Sequence, residues 1–130
     1  MKLHRLPLLT LLFLLPVIVK AGPIETIAEL IKRGNAHEVA TYFSASVDFT
    51  MMKDAGIYSK AQAELILDKF FKEHKPQEVK LLHKVSSNAN YNYGVLILST
   101  DKGKYRVAYT LREVGKMMEI IEMRIETEKT

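Results

Sequence analysis

From Val79 onward the hydrophobic period of this chain is two. Val79–Val85, Tyr91–Thr100, Lys104–Glu113 and Lys116–Thr127 alternate apolar and polar side chains, with only short loops between them. Such alternation marks a strand with one buried face. Four strands joined by loops too short for a crossover must run as an antiparallel meander. The meander has to bury one face against something, so the residues before Val79 supply the cover.

Those residues read mostly as helix. Pro23 suits a first helical position, and Ile24, Ile27, Ala28 and Ile31 fall at helical spacing. Glu25 and Glu29 lie early, Lys32 and Arg33 late, and Gly34 ends the helix, as the dipole and cap rules expect. Asn35 with Glu38 opens a second, short helix whose apolar side is Val39, Tyr42 and Phe43. Val47, Phe49 and Met51 alternate as a strand, Asp54-Ala55-Gly56 reads as a turn, and Ile57-Tyr58 as a brief extended piece. Ser59 with Gln62 forms a capping box for the longest helix. Its stripe is Ala63, Ile66, Leu67, Phe70 and Phe71, and Pro76 forces its end near His74.

Counting outward from the turns sets the faces. A three-residue turn, Asp101-Lys102-Gly103, places Thr100 opposite Lys104, Ile97 opposite Val107 and Val95 opposite Tyr109. Val85 opposite Tyr91 places His83 across from Tyr93. The inner face is then expected to hold His83, Tyr91, Tyr93, Tyr105 and Tyr109, and the outer face Leu82, Leu96, Leu98 and Ala108. The last strand changes parity, and a bulge at Ile120-Ile121 reconciles its two halves.

The first 21 residues are of another kind. Lys2 and Arg5 precede an apolar run of about 14 residues, Leu6 to Val19, and Val19-Lys20-Ala21 ends it like a signal-peptidase site. The run is shorter than the roughly 20 residues that span a bilayer. The expectation is a signal peptide over residues 1–21, cleaved after Ala21, one domain over 22–130, and no stable membrane span afterwards. Three of the 19 basic residues lie in the leader, so the remainder carries 16 against 15 acids and its charge is about +1. The net +4 of the whole chain is therefore no argument for a nucleic-acid partner, and none is expected. With no cysteine the chain has no disulfide, thiolate metal site or thiol chemistry. A domain of about 109 residues can stand on packing alone.

Helix, helix, strand, strand, helix and four strands is the element order of the nuclear transport factor 2-like, cystatin-like fold. More closely, the chain resembles the exported bacterial proteins of the domain of unknown function 4783 family. The residues that carry the likeness are Arg33-Gly34-Asn35-Ala36, Tyr42-Phe43 and the Gly56-Ile57-Tyr58-Ser59-Lys60-Ala61-Gln62-Ala63-Glu64 stretch. Gly103-Lys104-Tyr105-Arg106-Val107 and Arg124-Ile125-Glu126 match as well. The resemblance implies an α+β cone, helices packed on a curved antiparallel sheet, often paired into dimers. It brings no activity, catalytic residue, metal or cofactor.

The residues themselves leave two functional readings. The first is an exported, non-enzymatic binding or assembly module, periplasmic or extracellular. It self-associates as a homodimer through the outer sheet face, where Leu82, Leu96, Leu98 and Ala108 would make an apolar stripe rimmed by charge. The second is a pocket protein with a small apolar ligand, or a pocket enzyme using His83 as base beside Tyr93, with Tyr91, Tyr105 and Tyr109 lining the hollow. No carboxylate shares that expected face, and a lone histidine is more often a satisfied core residue than a base. His37, His74 and His83 lie on separate elements, which argues against a metal site.

Overall fold

A computed structural model describes residues 22–87 and 90–129. The expected leader, residues 1–21, lies outside the described residues. Three helices, α1 (Pro23–Lys32), α2 (Ala36–Ala40) and α3 (Lys60–Glu73), accompany six strands. The strands are β1 (Phe43–Met51), β2 (Asp54–Ser59), β3 (Pro76–Ser86), β4 (Tyr91–Thr100), β5 (Gly103–Val114) and β6 (Met117–Thr127).

Local chemistry sets the helix ends. Gly34, at φ 67°, follows α1, and its N–H donates to Ile31 O while that of Asn35 donates to Leu30 O, a Schellman stop that needs a left-handed residue. The Asn35 side chain accepts from Glu38 N to start α2. Ser59 and Gln62 cap α3 reciprocally, and the helix ends at Glu73 with His74 as its C-cap. The buried face of α3 is Ala63, Leu67, Phe70 and Phe71.

One sheet runs in the order β2-β1-β6-β5-β4-β3. It is mixed, not wholly antiparallel, because β1 lies parallel to β6. The first hairpin also differs from expectation. Its turn is Met52-Lys53, and Asp54-Ala55-Gly56 belongs to β2, paired with Met51, Thr50 and Phe49. The expected bulge in β6 is present, since Leu111 faces Ile120 while Thr110 faces Glu122.

The largest correction is a slip of one residue. Thr100 faces Gly103, so the loop holds two residues, not three. The Thr100 hydroxyl explains it, for Oγ1 accepts from Lys102 N (3.0 Å) and donates to Gly103 O (2.9 Å), closing the turn one residue early. Because side chains alternate, that slip turns every β4 residue over relative to β5. Leu96 and Leu98 therefore point inward, opposite Val107 and Tyr105, and both are fully buried. They are core, not an outer stripe. Tyr91, Tyr93, Val95 and Ile97 lie on the outer side. On β3 the irregularity at Leu82, between Leu81 and His83, completes the change. Val79 and Leu81 stay inside, while His83 and Val85 move to the outer face opposite Val95 and Tyr93.

The core lies between the inner sheet face and the helices. Phe43, Val47, Phe49, Leu96, Leu98, Val107, Tyr109, Leu111, Ile120, Met123 and Ile125 come from the sheet, and Ile24, Ile27, Ile31, Val39, Leu67, Phe70 and Phe71 from or beside the helices. α1 lies so close on β4 that a Cβ at Gly94 would stand 2.8 Å from Ile24 Cγ2. No helix of the described residues is long and apolar enough to cross a membrane.

Candidate functional site

Two surface features rise above the background. The first is the outer face of β3 and β4. Val85 is 54% exposed, Tyr93 40% and Tyr91 39%, and Ile97 and Ala108 beside them are half-buried. Cross-strand pairing brings Val85 against Tyr93, Tyr93 against Thr110 and Val95 against Ala108, so the apolar side chains form one patch. Charge is graded across this face. Glu78, Lys80 and His83 stand on β3; Lys104, Arg106 and Arg112 stand on β5; Glu119, Glu122 and Glu126 on β6 and Asp48 on β1 outnumber Arg124 on the far side. Arg112 Nε is buried here and has no hydrogen-bond partner among the described residues.

The second is a cleft of about 360 Å³ between α3 and the β1–β2 hairpin. Phe49, Met51, Met52, Ile66 and Phe70 supply its apolar lining, and Asp54, Tyr58, Lys69, Glu73 and His74 its polar one. Met52 holds a left-handed backbone, φ 57°, which is costly for a residue with a side chain. β6 fixes it there: Met52 N–H donates to Ile125 O (2.7 Å), and its Sδ accepts from Thr127 Oγ1 (3.6 Å). His74 stacks on Phe70 (centroids 4.5 Å apart) and meets Tyr105 edge-on (5.1 Å). Its Nδ1 lies 3.0 Å from Phe70 O, an acceptor only, so Nδ1 carries the proton.

The residues singled out from the sequence fall in three places. His83, Tyr91 and Tyr93 are on the outer face, exposed, and do not enter the inner hollow. Tyr105 and Tyr109 are on the inner face as expected, but both are buried, and Tyr109 donates to Ile24 O (2.7 Å) as a structural bond. Burial, with the Glu25 carboxylate nearby, pushes the Tyr109 hydroxyl far above its ordinary value, so it stays protonated. Of the four stripe residues, Ala108 is on the outer face, Leu82 lies at the β3 irregularity, and Leu96 and Leu98 are inside. The cleft draws on none of the residues expected from the sequence to form a site. Its signals are a strand closing on two methionines and a helix closing on Glu73-His74, three and four residues after Phe70. No group of three His, Cys, Asp or Glu residues among those described could hold a metal ion.

The model for the domain of unknown function DUF4783 matches residues 24–126. A DUF4783 family protein from Bacteroides uniformis is 25% identical, with a TM-score of 0.78 over 84% of this chain and 100% of its own. One from Bacteroides ovatus is 21% identical, with a TM-score of 0.74 over 86% of this chain and 97% of its own. A Nostoc punctiforme domain with a cystatin-like fold is 12% identical, with a TM-score of 0.65 over 85% and 81% of the two chains. No curated protein matches. The fold is thus α+β, of the nuclear transport factor 2-like and cystatin-like type.

Proposed function

The chain belongs to the DUF4783 family, which brings no activity with it, and from its surface we propose that it is an exported, non-enzymatic assembly module that pairs with a second copy of itself. The observation that carries the reading is the patch of Val85, Tyr91, Tyr93, Ile97 and Ala108, an apolar, tyrosine-bearing area on a sheet face that helices leave uncovered. Aromatic residues at the centre of a patch with charges at its edge are the composition of an interface.

The charge gradient favours a twin as the occupant. A two-fold axis along β5, near Ala108, sets Lys80 and His83 of one copy, with Glu78 beside them, over the net acidic β6–β1 side of the other. An interface of this symmetry must be complementary to itself. The reading built on His83 and Tyr93 as a catalytic pair has less support, because both stand on an open face with no hollow around them.

Sedimentation equilibrium on the chain starting at Gly22 tests the reading. Wild type should sediment as a dimer, and Tyr93→Glu and Val85→Glu as folded monomers. A wild type that stays monomeric at every concentration refutes it. Export is tested separately: protein recovered from outside the cytoplasm should begin at Gly22, and an intact Met1 would refute cleavage.

A further inference from the structure

The cleft between α3 and the β1–β2 hairpin plays no part in self-association through the outer face. We propose that it is a binding site for an organic monocation with an apolar body, such as an aromatic or alkyl ammonium compound.

Charge decides the sign of the ligand. Asp54 and Glu73 both line the cleft, and neither carboxylate is held in an ion pair among the described residues. Lys69 is the one lysine or arginine of the lining. The cleft thus carries a net charge of about −1. The carbonyl end of α3 lies at the same place, where Lys102 Nζ, 3.5 Å from Glu73 O, offsets part of the helix dipole. An anion would meet two free carboxylates; a monocation neutralises the site.

The lining decides the body of the ligand. Tyr58 and Met51, both half-buried, offer a ring and a flexible, polarisable side chain, over a floor of buried Phe49 and Phe70. Ring faces attract the methyl groups of a quaternary ammonium, and methionine adapts to irregular apolar shapes. At about 360 Å³ the cleft is near the small end of ligand pockets, suited to one ring or a short chain with its head group. The strained Met52 backbone belongs to the same wall. Strain held by surrounding contacts, here by Ile125 and Thr127 of β6, is found disproportionately where a ligand is clamped.

The probes are benzyltrimethylammonium, phenylmethanesulfonate with the same ring and the opposite charge, and tetramethylammonium, which lacks the ring. Calorimetric titration of the full chain from Gly22 is paired with methyl resonances of the methionines. Benzyltrimethylammonium should bind one per chain, at least tenfold more tightly than either other probe, and shift the methyl signals of Met51 and Met52. Asp54→Asn with Glu73→Gln should weaken it tenfold or more, whereas Lys69→Gln should tighten it several-fold. The opposite sign of the last change separates charge recognition from any loss of fold in the double variant. No saturable binding of the cation, equal binding of the sulfonate, or unmoved Met51 and Met52 signals would overturn the proposal.

Discussion

At the residue scale, the junction of α1 with the sheet concentrates the polar chemistry of the interior. Gly94 lets Ile24 sit directly on β4, and this close approach brings the Ile24 carbonyl to the Tyr109 hydroxyl, 2.7 Å away and fully buried. Tyr109→Phe would leave that carbonyl without its donor and should cost about 1–3 kcal/mol, read from urea midpoints. Beside it the Glu25 carboxylate accepts from Lys84, which holds its pKa below the ordinary 4.5; backbone N–H groups at the start of α1 act in the same sense. A carboxylate with a lowered folded pKa stabilises the native state above its unfolded pKa, and the contribution fades as pH falls through the folded value. The stability gap between wild type and Glu25→Gln should therefore be steady at neutral pH and close under acid. A gap that widened toward low pH would show that the pair with Lys84 does not stabilise the fold. His37 shifts the other way: its bond to Glu64 raises its pKa, so that contribution is present below the unfolded pKa and fades as pH rises. Both groups of that pair stand near water, and its effect should be small.

At the element scale, the strands test how far pattern reading goes. Leu96 and Leu98 are fully buried opposite Val107 and Tyr105, so Leu96→Glu or Leu98→Glu would bury an unpaired charge, a change worth several kcal/mol out of a total of about 5–15. Either should leave no cooperative melting transition, while Tyr93→Glu, on the opposite face, should melt close to wild type when both are monomeric. Phe70→Ala and Phe71→Ala remove buried rings from α3 and should each lose about 3–5 kcal/mol; exposed Lys72→Ala should lose little. Element identity was legible because it rests on period and caps: the Ser59–Gln62 box, the Gly34 stop and the alternation after Val79 all read locally. Strand faces were not equally legible, because they depend on a single turn. Asp101-Lys102-Gly103 fits a loop of either length by composition, and the Thr100 side chain, bonding Lys102 N and Gly103 O, selects the shorter one. The irregularity at Leu82 carries no comparable mark, since Leu81-Leu82 suits either face. The parallel seam of β1 with β6 joins residues far apart in the chain, and no local pattern encodes it. The cleft depends on that seam, because β6 holds Met52 in place.

At the scale of the whole molecule, the asymmetry of the sheet is the question. Helices cover the inner face, while the outer one exposes Val85, Tyr91 and Tyr93. An antiparallel sheet can face water on one side, so exposure alone does not demand a partner. What differs here is the composition, for β4 places Tyr91, Tyr93, buried Val95 and half-buried Ile97 outward in succession where alternation on a solvated face would place polar groups. If two copies bury that patch together, folding and association are linked, and mass action makes stability depend on concentration. For a dimer unfolding to two chains, each tenfold rise in concentration adds about 1.4 kcal/mol, which moves the melting temperature of an assembly of this size by roughly 3–6 °C. Wild type measured over a hundredfold range should show that slope. Tyr93→Glu should melt at one temperature throughout, because a folded monomer gains nothing from neighbours. A flat wild type with an equally flat Tyr93→Glu would mean that the tyrosines are solvated in the free chain, and the outer face would then need no twin to account for it.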